Sequence, residues 1–150
     1  KNKKGSNKLQ GGKRGFQYVV WDAKQIDDRI LEMTYFARDM EEGFPGNLDV
    51  KVTYSITDHN ELKIDYYAVT DKKTVLNLSN HAFFNLNSIG SPIDNHLVVI
   101  NAEYYTPVDS TLIPIGKIEP VLNTPFAFRK PQVIGTGVDA DNDQVKQGRG

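Results

Sequence analysis

Apolar and polar residues alternate along much of this chain more regularly than they recur at any longer spacing. Between residues 48 and 57, Leu48, Val50, Val52, Tyr54 and Ile56 alternate with Asp49, Lys51, Thr53, Ser55 and Thr57, the period-two signature of a strand with one buried and one wet face. After Asp58, His59 and Asn60, whose side chains suit a tight turn, alternation resumes with Leu62, Ile64, Tyr66 and Ala68. The pair predicts a β-hairpin. Residues 29–38 alternate as well, with Leu31, Met33, Tyr35 and Ala37 on one side, while Ile30 and Phe36 on the other predict burial of both faces. Shorter β-rich runs at 18–21, 74–78 and 97–100 are separated by turn-forming residues. Pro107, Pro114, Pro120, Pro125 and Pro131 break 105–132 into short extended pieces and turns, because proline lacks the ladder donor and restricts its predecessor. No segment of helical length carries a 3.6-residue period. The pattern predicts an all-β, antiparallel fold, a large sandwich.

Composition narrows the function classes. With 150 residues, 18 Lys+Arg, 19 Asp+Glu and a net charge of −1, the chain is long enough for one domain that buries about 68–70% of its unfolded surface without a staple. The absence of Cys removes thiol catalysis, zinc knuckles and disulfides together. No run reaches the ~18 apolar residues of a membrane span, and balanced charge without a basic stripe argues against nucleic acid or anionic lipid as partners. Residues 1–15 hold six Lys or Arg and four Gly, and residues 136–150 are polar and glycine-containing. Both ends are expected to be surface loops. Residue 1 is Lys, not Met, so the sequence is expected to be processed or cut from something longer.

Candidates for proton transfer are three His and the carboxylates. His59 falls in the hairpin turn and reads as solvated; His96 precedes an apolar strand and reads as a hydrogen-bonding residue at its start. His81 differs because the run Asn77-Leu78-Ser79-Asn80-His81-Ala82-Phe83-Phe84-Asn85-Leu86 sets amides and one imidazole among aromatics and leucines. Such polar groups either satisfy one another or face a polar ligand, since each left unpaired costs ~1–3 kcal/mol. An imidazole there can exchange protons near neutral pH. A structural core histidine accounts for the same residues. The histidines lie 22 and 15 residues apart, which is no metal-ligand spacing. Asp139-Ala140-Asp141-Asn142-Asp143 lacks the glycine and distal Glu of a calcium loop, and Gly11-Gly12 opens no phosphate-loop pattern. Aromatics among polar residues, Phe16, Tyr18, Trp21, Phe44, Tyr104, Tyr105, Phe126 and Phe128, suit sugar rings as well as ordinary sandwich packing.

Five strings in one order carry a family resemblance. They are Asn7-Lys8-Leu9-Gln10-Gly11-Gly12 followed by Lys13-Gly15-Phe16; Glu41-Glu42-Gly43-Phe44-Pro45-Gly46-Asn47-Leu48; the run from Asn77 to Leu86; Tyr105-Thr106-Pro107-Val108-Asp109; and Thr124-Pro125-Phe126-Ala127-Phe128-Arg129-Lys130-Pro131. Together they resemble the aldose 1-epimerase (galactose mutarotase) family. The resemblance implies a large antiparallel β-sandwich, the supersandwich, here incomplete, with residues 1–150 as the central part of a single domain truncated at both ends. It implies interconversion of the α and β anomers of an aldohexose such as galactose or glucose, without a cofactor or a metal, in a cytoplasmic protein. Its general acid falls at His81, and its sugar-contacting residues at Gln10, His81, Ala82 and Phe83. The family's usual residue at position 10 is His and at position 83 Tyr. Its catalytic Glu and sugar-gripping Asp lie C-terminal to the last residue here, and an Asn-Arg pair lies before the first, so 1–150 alone is expected to be weak or inactive. A non-catalytic sugar-binding sandwich is the alternative that Gln10 suggests.

Overall fold

The computed structural model describes residues 11–148 in full, together with the backbone of Lys3–Lys4 and Asn7–Lys8. Ten strands and one short helix follow in order: β1 (Lys3–Lys4), β2 (Asn7–Lys8), β3 (Asp22–Asp27), β4 (Ile30–Ala37), β5 (Leu48–Ile56), β6 (Leu62–Thr70), β7 (Leu97–Val98), β8 (Tyr104–Tyr105), β9 (Glu119–Pro120), β10 (Gln132–Val133) and α1 (Asp143–Gly148). Contacts divide the chain into two compact units, Lys1–His81 and Ala82–Gly150.

The first unit is built on a four-stranded antiparallel sheet in the order β3-β4-β5-β6. Its register follows from the alternation. Ala37 pairs with Leu48, Tyr35 with Val50, Met33 with Val52 and Leu31 with Tyr54, while Val50 pairs with Ala68 and Tyr54 with Ile64. A one-residue slip would put every one of these side chains on the wrong face. Ala37, Leu48, Val50 and Val52 form the buried cluster, and Phe16, Trp21, Tyr35, Tyr54, Ile64, Ala68 and Leu78 pack around it. The opposite face is charged: Lys51 bridges Glu32 at 3.2 Å and lies 6.0 Å from the Tyr67 ring, and Lys63 bridges Asp65 at 2.9 Å. The predicted hairpin turn closes through Thr57 N–H to Glu61 O at 3.0 Å, with Asn60 at φ 59°, a left-handed conformation that Asn tolerates.

The second unit has little regular structure. β7 pairs with β10 and β8 with β9, and Val108 bridges Pro114. Side chains replace ladders as ties. Gln144 accepts from Val108 N–H at 2.7 Å and donates to Val108 O at 2.9 Å, which fastens α1 to the proline-rich segment. Asp109 Oδ1 accepts from Thr111 N–H, Thr111 Oγ1 and Ile113 N–H at 2.7, 2.6 and 3.1 Å, closing a loop in which Leu112 sits at φ 66°. The Tyr105 and Phe126 rings meet tilted, with centroids 5.0 Å apart.

Several expectations need correction. Burial of both faces of β4 fails, since Phe36 is 51% exposed. The strand expected at 18–21 is a 3-10 turn over Phe16–Tyr18, because Trp21 Nε1 donates to Phe16 O at 2.9 Å and the Phe16, Trp21 and Tyr35 rings meet edge to face or tilted within 6.0 Å. No strand forms at 74–78, and at 97–100 only Leu97–Val98 pair. Neither end is purely loop. β1 pairs with β2, and Asn142 caps α1 by accepting from Gln144 N–H at 2.9 Å, as Asn does at helix starts.

Candidate active site

His81 ends the first unit and Ala82 begins the second. Between Thr70 and His81 the chain leaves the ladder, and its return is tied to the sheet by side chains. Leu78 packs against the buried cluster, and Asn80 Nδ2 donates to Tyr54 Oη at 3.3 Å. His81 is exposed, as are Ala82 and Phe83, the latter at 90%. Among the described residues, nothing buries His81 in the core. Gln10 lies outside the described residues.

The turn after Gln10 is described. Gly11 and Gly12 sit at φ +80° and +117°, and a Cβ on Gly12 would collide with the Glu42 side chain. Lys13 N–H donates to Glu42 Oε2. Only glycine allows this approach. The neighbouring acid ties back to the end of β4: Glu41 accepts from Tyr35 Oη at 2.7 Å and from Arg38 N–H at 3.2 Å. The hydrogen bond from its hydroxyl to Glu41, with burial adding to it, raises the Tyr35 pKa above its usual value. Sequence reasoning gave Glu41 and Glu42 no individual role, and they entered only as the start of the string Glu41–Leu48 that carries the family resemblance.

The other two histidines take the local roles their sequence context suggested. His59 N–H donates to Thr57 Oγ1 at 3.2 Å within the turn. His96 Nε2 accepts from Leu86 N–H at 2.8 Å. Asn87 donates beside it to Pro92 O and to Asn95 Oδ1, both at 2.7 Å. A cleft of about 620 Å³ opens there, lined by Asn87, Ser88, Ser91 and Asp94 among others. A second, of about 300 Å³, lies between Arg29, Leu31, Tyr54 and Leu62 in the first unit. His81 lines neither. Among the described residues no group of three or more His, Asp or Glu gathers to hold a metal ion, and no helix is long and apolar enough to cross a membrane.

Comparison with known proteins places these features in one family. The family profile "Aldose 1-epimerase" matches residues 1–149. Galactose mutarotase of Sus scrofa is 46% identical over 132 residues, covering 87% of this chain and 38% of the relative. Aldose 1-epimerase of Escherichia coli (strain K12) is 39% identical over 142 residues, covering 95% and 41%. Among solved structures, galactose 1-epimerase from Lactobacillus acidophilus NCFM superposes with a TM-score of 0.81 at 34% identity, over 95% of this chain and 42% of that one. An aldose epimerase homologue from C. elegans gives 0.76 at 32% identity, over 89% and 41%. The chain belongs to the aldose 1-epimerase family. It carries part of the β-sandwich of galactose mutarotase structures and spans about two fifths of the length of the relatives it matches.

Proposed function

We propose that the protein interconverts the α and β anomers of aldohexoses, galactose or glucose, with His81 as general acid. The family match supports the reaction, and one observation carries the residue: the imidazole at the position the resemblance gives the acid is exposed at the end of a segment held to the sheet. In the reaction His81 hands a proton to the ring oxygen while a base takes the proton of the C1 hydroxyl. The bond between C1 and the ring oxygen breaks, the open-chain aldehyde rotates about C1–C2, and closure by the reverse proton movements gives the other anomer. Atoms balance without a cofactor. Gln10, Ala82 and Phe83 belong to the same proposal as sugar contacts, as do a cytoplasmic setting and the assignment of residues 1–150 to the central part of one sandwich domain. The base belongs to sequence other than 1–150.

A positioned acid contributes about 10²–10⁴-fold. His81→Ala in the intact protein is expected to slow anomer exchange of galactose, read by polarimetry or NMR saturation transfer, by at least about 10²-fold. An unchanged rate would remove His81 from the mechanism. Gln10 supports a second reading, a sugar-binding protein without turnover, because an amide can bond a hydroxyl but cannot become a cation. Calorimetric binding of galactose together with no measurable exchange, and turnover recovered in Gln10→His, would select that reading.

A further inference from the structure

We infer that Tyr54 is a positioning residue for His81, acting through Asn80. The inference rests on the reading of His81 as the acid. Tyr54 stands on the core face of β5, half-buried, paired with Leu31 of β4 and Ile64 of β6. Its ring packs beside the cluster of Ala37, Leu48, Val50 and Val52, so its direction is fixed by the best-packed part of the first unit. The hydroxyl reaches out of that cluster to accept the Asn80 side-chain N–H at 3.3 Å. Leu78 uses the same cluster for its own packing.

The spacing of these two ties gives the bond its consequence. Leu78 fixes the chain three residues before His81, and Asn80 fixes it one residue before. At ~3.3–3.6 Å per extended residue, the second tie shortens the lever to the imidazole from about 10 Å to a single step. A displacement of ~1 Å at a reacting group can cost ~10²-fold, so a hydroxyl that touches no substrate can still set turnover. The alternation of β5 marks Tyr54 only as a core position, and its hydroxyl is what a phenylalanine there would lack.

The test compares Tyr54→Phe, Asn80→Ala and the double variant with His81→Ala in the intact protein, reading kcat and KM for galactose anomer exchange. Tyr54→Phe is expected to lower kcat about tenfold while KM stays within about twofold, since it alters the acid's placement and not the sugar's contacts. Asn80→Ala is expected to lose at least as much, and the double variant no more than Asn80→Ala alone, because the Tyr54–Asn80 bond is already gone in either single variant. Unchanged kcat in both single variants overturns the inference. So do losses that multiply in the double variant, which would mean that the two residues act separately. If His81→Ala loses activity while Tyr54→Phe does not, the positioning role falls and the acid assignment stands. If His81→Ala is fully active, the acid assignment falls and the positioning role falls with it.

Discussion

His59, His81 and His96 are one side chain in three settings, and the backbone around each decides its chemistry. His59 completes a turn through its N–H, and His96 accepts an amide proton from Leu86. Only His81 combines exposure with a segment braced on the sheet. That segment also holds a local conflict. Thr74 Oγ1 is buried and has no hydrogen-bond partner among the described residues, and an unsatisfied buried hydroxyl costs about 1–3 kcal/mol. Valine has the same branched shape without the polar atom. Thr74→Val is expected to stabilise the protein by about 1 kcal/mol, read as a higher denaturation midpoint at unchanged slope. A loss of stability of that size would mean that the hydroxyl has a partner. The polar run around His81 was legible in the sequence because amides among aromatics demand an explanation. Tyr54 was not, because period-two alternation gives the face of a residue and says nothing of what its hydroxyl bonds.

The loop between β4 and β5 shows why some elements read easily and others do not. β4, β5 and β6 carry their pattern because each has one face against the core. β3 is exposed along its whole length, so no apolar alternation marks it, and α1 has six residues, too few for a helical period. The β4–β5 loop is fixed by polar bonds. Asp39 Oδ1 accepts Gly46 N–H at 2.6 Å, Asn47 Oδ1 accepts Asp39 N–H at 2.9 Å, and Asn47 in turn donates to both oxygens of Asp71 at 2.8 and 2.7 Å. Lys72 closes the network on Asp39 at 2.6 Å. Gly46, at φ +90°, has no room for a Cβ, which would meet Thr70 Oγ1 at 2.7 Å. The bond from Lys72, then that from Gly46, lowers the Asp39 pKa; the bonds from the Asn47 side chain and backbone lower that of Asp71; the bond to Asp39 raises that of Lys72. For the two acids the folded value lies below the unfolded one, so their contribution is present above about pH 3.9. It is lost as pH falls through the lowered values. For Lys72 the sign reverses: its contribution is full below about pH 10.4 and is lost as pH rises through the raised value. A carboxyl NMR titration is expected to find both acids below the ordinary value. In Lys72→Met, Asp39 is expected to rise more than Asp71, whose largest partner is Asn47. Equal shifts would refute the partition of the network between Lys72 and Asn47.

Across the whole chain the buried apolar residues are few for the strands they hold. Among the described residues the buried hydrophobics are Ala37, Leu48, Val50, Val52, Val121 and Val145, whereas Val20 is 85% exposed, Leu86 87%, Phe83 90% and Ile89 106%. Burying a large apolar side chain fully is worth about 1.5–3 kcal/mol. Four such residues left in water forgo an amount comparable to the whole 5–15 kcal/mol stability of a typical domain. Among the described residues the outer strands of the sheet, β3 and β6, leave unpaired edges, which recruit other strands when they are not covered. Family membership points to what normally meets this surface, since relatives devote more than twice this length to the same fold. Residues 1–150 expressed alone are therefore expected to self-associate and to bind a hydrophobic dye such as ANS, with light-scattering masses well above 16.9 kDa. If the base lies in sequence other than 1–150, as proposed above, residues 1–150 alone are expected to add little to the spontaneous exchange of galactose anomers. A dye-negative 16.9 kDa monomer that melts cooperatively would show that these apolar side chains find cover within the chain itself. Brisk anomer exchange by that monomer would place the base within residues 1–150.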